Sequence, residues 1–263
     1  MAIFTHSSGQ YLSVDDAEIY FEIIGNPIGC PLLLLHGGLG NLTDFNCIVA
    51  QLASEFKLIG IDFRGHGKST LGKSRLTYQQ YQADAEAIVA HLNIDCFSIL
   101  GFSDGGVTAL RMAAETPSRI NGLVAVAAQS QMGPDDPALP MLSGVTADFW
   151  ETKFPDAVSY YRKNNPEPDF NALIKSVVSL WTNTTHSAYP GNLIEQITAQ
   201  TLLVRGDEDH ICSLKCAAEL QDQIKGSAFL NIPYAGHEVY KDSPILFMEA
   251  VHDFLTNRIA KKN

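Results

Sequence analysis

Short apolar segments recur along this chain with helix-compatible segments between them, and this rhythm restricts the chain to few folds. Two parallel strands need a crossover connection, usually a helix, so the alternation is typical of a mostly parallel sheet with helices on both faces. The strand candidates of this kind are Pro31–Leu35, Lys57–Ile61, Cys96–Leu100, Leu123–Ala127, Thr201–Arg205 and Ala228–Ile232. Upstream, Ile19–Ile24 is rich in β-branched and aromatic residues and would pair with the segment around Tyr11 to Val14 near the edge of the sheet. The sequence therefore predicts an α/β fold whose eight-stranded sheet starts antiparallel and becomes parallel.

Composition is that of a globular protein with its own core. Hydrophobic residues make up 46% and charged residues 18% of the 263 residues, which suits a packed core better than a disordered chain. The formal net charge of −11 would repel nucleic-acid phosphates and anionic lipid headgroups. We find neither an uncharged apolar stretch of about 18 residues nor the pattern of a signal peptide. We therefore expect one domain over residues 1–263, with no nucleic-acid partner and no membrane partner.

The five cysteines are odd in number and scattered, which fits reduced thiols and a cytoplasmic location better than a disulfide framework. Cys212 and Cys216 would share a helix face, and His210 lies nearby in the sequence, which raises the hypothesis of a metal site. A fourth ligand is missing, and zinc sites usually pair cysteines on a tighter knuckle. We therefore predict buried thiols and no metal.

The alternation of strand and helix stops over residues 130–192. Aromatic residues in helix-compatible settings replace it, and both tryptophans of the chain, Trp150 and Trp181, fall here, with Phe149 beside the first. We interpret residues 130–192 as a helical cap inserted into the α/β domain. Phe149, Trp150 and Trp181 would then contact the substrate from an apolar underside, although they could equally serve only to pack the insertion onto the core.

The segment Gly101–Gly105 has the pattern G-x-S-x-G and lies between a strand candidate and a helical stretch. In that context the pattern makes a turn so tight that only small flanking residues fit. The turn projects the serine hydroxyl above the sheet edge at the N-terminus of a helix. Ser103 is therefore the candidate nucleophile.

A serine hydroxyl attacks well only when a base takes its proton, so a histidine should follow downstream. His237 lies between the last strand candidate and the closing helix, where a loop can return over the serine. The histidine needs a carboxylate to fix its tautomer, and the loop after the penultimate strand offers three acids. We choose Asp209, which stands three residues past Gly206, the offset that this loop usually uses; Asp207 and Glu208 would be solvated loop charges. The loop after the sixth strand, the alternative place for this acid, holds none.

Backbone N–H groups aimed at the developing oxyanion complete such a site. One should be the N–H of Asp104, directly after the nucleophile. The other should come from the glycine-rich turn after the third strand, as the N–H of Gly38 or Leu39. His36, which opens this turn, would organise the loop.

Taken together, these motifs resemble the α/β-hydrolase fold superfamily over essentially the whole chain. The motifs are His36-Gly37-Gly38, Asp62–Ser69, Gly101–Gly106, Gly206-x-x-Asp209 and Gly236-His237. The resemblance implies a Ser-Asp-His order of the catalytic groups. The Ser-Asp-Gly-Gly turn and the Arg-Gly-His-Gly loop are most similar to small serine esterases such as the valacyclovir-hydrolase (biphenyl-hydrolase-like) group.

The resemblance implies hydrolysis of a small-molecule carboxylic ester through an acyl-enzyme, without a cofactor. The superfamily also contains lactonases and C–C bond hydrolases, which use the same three groups and remain as alternatives. A further alternative is a ligand-binding receptor that keeps the fold and turns over slowly or not at all.

Asp104 differs from the apolar residue that many relatives carry after the nucleophile. If its carboxylate faces the pocket, the negative charge should favour substrates with an ammonium group, such as amino-acid esters. The competing interpretation is that Asp104 stabilises the helix start through the helix dipole.

Overall fold

The computed structural model describes residues 2–185 and 187–259, and these residues build one mixed β-sheet. Within the described residues the sheet has eight strands, as the sequence predicts. They are β1 (Gln10–Val14), β2 (Ala17–Gly25), β3 (Cys30–Leu35), β4 (Phe56–Ile61), β5 (Phe97–Phe102), β6 (Ile120–Val126), β7 (Gln200–Gly206) and β8 (Ala228–Ile232).

The strand order is β1-β2-β4-β3-β5-β6-β7-β8. β2 pairs antiparallel with both β1 and β4, and all the other neighbours pair in parallel. The carboxyl ends of β3 to β8 therefore lie along one edge, where open α/β sheets place their ligand sites. The predicted change from antiparallel to parallel pairing is confirmed.

Helices connect the strands in the described part of the chain. They are α1 (Val49–Leu52), α2 (Tyr78–His91), α3 (Asp104–Glu115), α4 (Leu139–Ser143), α5 (Ala147–Lys153), α6 (Pro155–Asn164), α7 (Phe170–Trp181), α8 (Leu214–Gln223), α9 (Val239–Asp242) and α10 (Pro244–Asp253). None of these helices has both the length and the apolar character needed to cross a membrane.

The leucine run of β3 shows how the sheet separates two apolar cores. Leu33 and Leu35 pack into a cluster on the side of α2 and α3, whereas Leu32 and Leu34 pack on the side of α1 and α10. All four are fully buried, and burial of each contributes about 1.5–3 kcal/mol. A strand with apolar residues on both faces must lie inside a covered sheet, which explains why the run is continuously hydrophobic.

Four helices, α4 to α7, lie between β6 and β7. Hydrogen bonds of Asn165 and Tyr160 join the middle of this segment to the rest of the chain. The side-chain amide of Asn165, after α6, donates to the carbonyl oxygens of Ser69 at 2.9 Å and Gly67 at 3.0 Å. The hydroxyl of Tyr160 lies 2.7 Å from Nδ1 of His6 in the N-terminal segment. The second half of the insertion is thereby fixed to the core.

Candidate active site

The turn between β5 and α3 holds Ser103 in a backbone conformation that L-residues rarely adopt. Its φ is +52° and its ψ is −116°, and α3 begins with the next residue. A Cβ on Gly101 would lie 2.2 Å from the carbonyl oxygen of Gly105, and a Cβ on Gly105 would lie 1.9 Å from that of Leu35. Both glycines are therefore required by close packing of the backbone, as the motif predicts.

The loops after β7 and β8 bring a carboxylate and an imidazole to this serine. Nε2 of His237 lies 3.0 Å from Oγ of Ser103, and Nδ1 lies 2.9 Å from Oδ2 of Asp209. An ionised carboxylate only accepts hydrogen bonds, so Nδ1 carries the imidazole proton and donates a hydrogen bond to Asp209. Nε2 is then left as the acceptor for the serine hydroxyl. The structure thus brings the three predicted side chains into one hydrogen-bonded chain.

Asp209 is buried, and the carboxylate oxygen that does not contact His237 accepts two hydrogen bonds. Oδ1 accepts the backbone N–H groups of Ile211 at 2.8 Å and Cys212 at 2.9 Å. Burial alone would raise the pKa of Asp209, but the hydrogen bond and charge of His237 and the two backbone N–H groups outweigh it, and the pKa is lowered. The carboxylate is therefore ionised at neutral pH and oriented toward the imidazole.

Among the described residues, the imidazole forms no hydrogen bond or ion pair with the other two acids of this loop. Glu208 is exposed, in agreement with a solvated charge. Asp207 is exposed as well, and its Oδ1 in addition accepts the backbone N–H of Tyr234 at 2.6 Å. Asp207 therefore ties the loop after β7 to the loop that carries His237, a contact between segments that no local pattern reveals.

The glycine-rich turn after β3 is organised by a buried histidine. The N–H of Phe63 donates to Nε2 of His36 at 3.0 Å, so Nδ1 of His36 carries the proton and donates to the carbonyl oxygen of Gly37 at 2.7 Å. Burial lowers the pKa of His36, which keeps the ring neutral. Leu39, three residues after His36, has a φ of +61°. These contacts fix the direction in which the turn presents its N–H groups.

The predicted oxyanion donors lie close to the serine. Gly38, Leu39 and Asp104 all line the same cavity as Ser103. In the portion of the chain that the structure describes, no hydrogen bond uses the backbone N–H of any of these three residues. Unpaired N–H groups beside a nucleophile are suited to stabilise a developing negative charge on oxygen.

A cavity of about 490 Å³ lies over Ser103, between the sheet edge and the helices α4 to α7. Its volume is in the range of small-molecule sites. All three aromatic residues predicted to contact the substrate line it. Phe149 is 49% exposed and lies toward the solvent side, whereas Trp181 is 8% exposed and lies inside, and Trp150 is intermediate.

Asp104 lies on the wall of this cavity with its carboxylate buried. Oδ1 accepts the hydroxyl of Tyr78 at 2.8 Å, and Nε1 of Trp181 lies 2.9 Å from both carboxylate oxygens. Burial raises the pKa of Asp104 to about 6, against the opposing hydrogen bonds of Trp181 and Tyr78 and the charge of His237. No side-chain hydrogen bond caps α3, although a charge in the first turn still benefits from the helix dipole. The carboxylate of Asp104 is therefore a buried part of the cavity wall.

Tyr78 is a site residue that the sequence did not indicate. It stands three residues before Tyr81 on the inward face of α2, so helical periodicity could have placed it inside the protein. Periodicity cannot show that its hydroxyl meets Asp104, which is 26 positions away in the chain.

The prediction of buried thiols is confirmed for Cys212 and is wrong for Cys216, which is only partly buried. The thiol of Cys212 is buried and donates to the carbonyl oxygen of Ala128 at 3.3 Å. Over residues 2–185 and 187–259, no group of three or more His, Cys, Asp or Glu side chains is placed to hold a metal ion. The chemistry that the described residues can perform is acyl transfer: attack by a hydroxyl, proton transfer to an imidazole and stabilisation of an oxyanion.

Comparison with known families finds two matching family models. A profile of the family described as "alpha/beta hydrolase fold" matches residues 31–187. A second profile, described as "TAP-like protein", matches residues 170–262.

Individual proteins are similar at low sequence identity. The chain is 21% identical to a putative esterase/lipase of Haemophilus influenzae, over 96% of this chain and 92% of that protein. Its structure is similar to a meta-cleavage product hydrolase (CumD) of Pseudomonas fluorescens, with a TM-score of 0.81, 17% identity and coverage of 95% and 98% of the two chains. It is also similar to an enol-lactonase of Burkholderia xenovorans, with a TM-score of 0.76, 21% identity and coverage of 94% and 100%. At these identities the structural matches establish the fold alone.

Proposed function

The chain belongs to the α/β-hydrolase fold family, and on that premise we propose that it is a serine hydrolase that cleaves carboxylic esters of small molecules. The observation that carries the proposal is the hydrogen-bonded chain from Asp209 through His237 to Ser103, at the head of a helix and at the floor of a cavity. Relatives named as esterases or lipases support the choice of an ester bond.

The acylation step follows from the tautomer of His237, in which Nδ1 donates to Asp209 and Nε2 accepts from Ser103. Oγ of Ser103 attacks the ester carbonyl carbon while its proton moves to Nε2 of His237, which accepts the serine hydroxyl at 3.0 Å. The carboxylate of Asp209 stabilises the imidazolium that forms. When the tetrahedral intermediate collapses, His237 gives this proton to the departing alkoxide. The alcohol leaves, and the acyl group stays on Ser103.

Deacylation uses the same groups with water in place of the serine. Nε2 of His237 takes a proton from water, and the resulting hydroxide equivalent attacks the acyl carbon. Collapse of the second intermediate returns the proton to Oγ of Ser103 and releases the carboxylic acid. In both halves the N–H of Asp104 and that of Gly38 or Leu39 would stabilise the oxyanion, each with an effect of about 10²–10³ on the rate.

The helices between β6 and β7 would act as the cap that selects the substrate. Phe149, Trp150 and Trp181 come from this insertion and line the cavity, whereas the reacting groups come from the ends of β5, β7 and β8. We assign the cap to residues 130–192, with Trp181 as a buried aromatic side chain on the cavity wall. A cavity of about 490 Å³ fits an ester of a few rings or a short acyl chain.

The buried carboxylate of Asp104 supports a finer proposal for the acyl group. Other charged residues also line the cavity, but Asp104 directly follows the nucleophile, and an anion at that place favours a substrate that carries an ammonium group, as in amino-acid esters. This preference agrees with the resemblance to the valacyclovir-hydrolase-like group of serine esterases.

The decisive experiment combines turnover with covalent labelling. The protein should hydrolyse a p-nitrophenyl acyl ester, and an organophosphonate should label Ser103, with both activities lost in Ser103→Ala. Ser143→Ala, which changes an exposed serine of α4, is the matched control and should keep both. A protein that binds esters but is neither labelled nor active would be a receptor. A panel that includes lactones and C–C substrates distinguishes an esterase from the other hydrolases of the fold.

A further inference from the structure

Gln129, three residues after the end of β6, is a buried residue whose side-chain oxygen lacks a hydrogen-bond donor. It is 6% exposed and lines the same cavity as Ser103. Within the described residues, no donor reaches its Oε1. A buried amide oxygen without a donor costs free energy, so most such groups in proteins are paired. The exception beside a nucleophile points to a partner on the substrate.

The orientation of this amide follows from its neighbours. The hydroxyl of Tyr189 donates its one proton to the carbonyl oxygen of Trp181 at 3.0 Å, so toward Gln129 the phenol can only accept. Burial raises the pKa of Tyr189, and a hydrogen bond from Gln129 is among the contacts that oppose this rise. Nε2 of Gln129 also lies 3.9 Å from Sδ of Met132, a weak acceptor. The nitrogen therefore has its partners within the wall, and Oε1 is the group left over.

The segment that carries Gln129 runs beside the nucleophile. The backbone N–H of Ser103 donates to the carbonyl oxygen of Val126 at 2.9 Å. Three residues of extended chain span at most about 11 Å, so Gln129 lies within that distance of Val126. Oε1 is covered by its neighbours, but the terminal amide turns about a broad torsion, so a small rotation presents this oxygen to a molecule in the cavity. A substrate group about six or seven bonds from the reacting carbon can therefore meet it.

We propose that Gln129 is a specificity-determining residue whose Oε1 accepts a hydrogen bond from a neutral donor on the substrate, a hydroxyl or an N–H group. The inference rests on the proposed function and deepens it, because it names a chemical feature of the ester. The donor is neutral because an uncharged amide oxygen cannot offset the desolvation of a buried cation.

The contact selects substrates by what is left unpaired as well as by what is gained. A substrate without a donor fills the cavity and leaves Oε1 buried without a partner, whereas a substrate with a donor pairs it. Sites that hydrogen-bond a substrate hydroxyl reject the analogue that lacks it for this reason. The contact is remote from the reacting carbon and is the same before and during the reaction. It should therefore act on KM more than on kcat.

The test uses methyl esters of 3-arylpropanoic acids that differ only in one ring substituent, a hydroxyl, an amino or a methyl group, at the para or meta position. A second series carries the same aryl groups on the alcohol, as propanoate esters of 2-arylethanols. Chromatography of the products gives kcat and KM for each ester. In at least one series the parent protein should prefer the hydroxyl or amino ester to the methyl ester by about tenfold or more in kcat/KM.

Gln129→Leu should abolish this preference, through a higher KM for the ester that carries the donor. Gln131→Leu is the matched control, the same change at an exposed residue two positions away, and should keep the preference. Thermal unfolding separates this role from a structural one, because an apolar side chain in place of an unpaired polar group should leave Tm unchanged or raise it. A lower Tm with equal losses for all the esters would show a structural amide and overturn the inference. Gln129→Met provides the same test if Gln129→Leu does not fold.

The two proposals fail in different ways. If the parent protein hydrolyses no ester and Ser103 is not labelled, the proposed function fails. The recognition by Gln129 is then tested by calorimetric binding of 3-(4-hydroxyphenyl)propanamide against 3-(4-methylphenyl)propanamide, with the same two leucine variants. If the parent hydrolyses the esters with and without a donor equally well, or if the preference survives in Gln129→Leu, the inference fails and the serine hydrolase stands.

Discussion

The side-chain amide of Asn165 donates a hydrogen bond of 2.9 Å to the carbonyl oxygen of Ser69, and this contact joins the inserted helices to the loop after β4. The same amide nitrogen reaches Gly67 at 3.0 Å, and Asn165 is 6% exposed. One side chain therefore satisfies two backbone acceptors of another loop, at the point where the insertion leaves α6.

Asn165→Ala should destabilise the protein by about 1–3 kcal/mol, because it leaves buried carbonyl oxygens without a donor. Urea unfolding at constant pH measures this loss. The neighbouring Asn164→Ala is the control, since Asn164 is only half-buried and donates within its own helix, to Tyr160. Equal free energies of unfolding for the two variants would show that the anchor contributes nothing.

Asp209→Asn should lower kcat by about 10⁴-fold, the cost that the equivalent change has in serine proteases, because an amide no longer selects the imidazole tautomer that accepts from the serine. Steady-state hydrolysis of an uncharged ester measures it, with substrate binding little changed. Asp207→Asn is the matched control, two residues away on the same loop, and should retain activity within a few-fold. If Asp207→Asn and Asp209→Asn lose the same activity, our choice of the acid is wrong.

Asp104→Asn should change how stability depends on pH. The pKa of Asp104 in the folded state is about 6, above its usual value of 3.8, so the folded state binds more protons than the unfolded state between these values. This group therefore favours folding at low pH, and that contribution is lost as pH rises through about 6. Asparagine cannot ionise. The free energy of unfolding of Asp104→Asn minus that of the parent should therefore be larger at pH 8 than at pH 4, by on the order of 2 kcal/mol. Unfolding curves at the two pH values measure the difference, and a constant offset between the proteins would contradict the prediction.

Gly105→Ala should prevent folding or destabilise the protein by several kcal/mol, because the new methyl would lie 1.9 Å from a backbone carbonyl of β3 that cannot move away. Soluble yield and thermal unfolding measure the effect. Gly133→Ala is the control, since a Cβ there meets nothing within 4 Å. Normal stability in Gly105→Ala would mean that the turn can open, and the geometry of Ser103 would have to be reconsidered.

The strands and the order of the reactive groups were readable from the sequence for physical reasons. A continuous apolar run such as Leu32–Leu35 must be buried on both faces, and this fixes its place in a covered parallel sheet. Parallel strands end at a common edge, so side chains that directly follow them must meet there. Ser103, Asp209 and His237 all occupy such positions, and their distances agree with this reasoning.

The contacts between the insertion and the core were not readable. The sequence predicts Trp181 at the cavity for its apolar ring, yet its N–H donates to Asp104, 77 positions away. Asn165 and Asp207 likewise bond to backbone groups of other loops. Local patterns carry no information on such partners, because they depend on how packed elements are finally positioned.

The proposed reacting groups follow the ends of β5, β7 and β8, while most of the aromatic residues of the cavity wall come from the segment between β6 and β7. This division makes the insertion a replaceable module. A chimaera that carries the α4–α7 helices of another hydrolase on this sheet should inherit the donor's substrate range and retain the recipient's nucleophile.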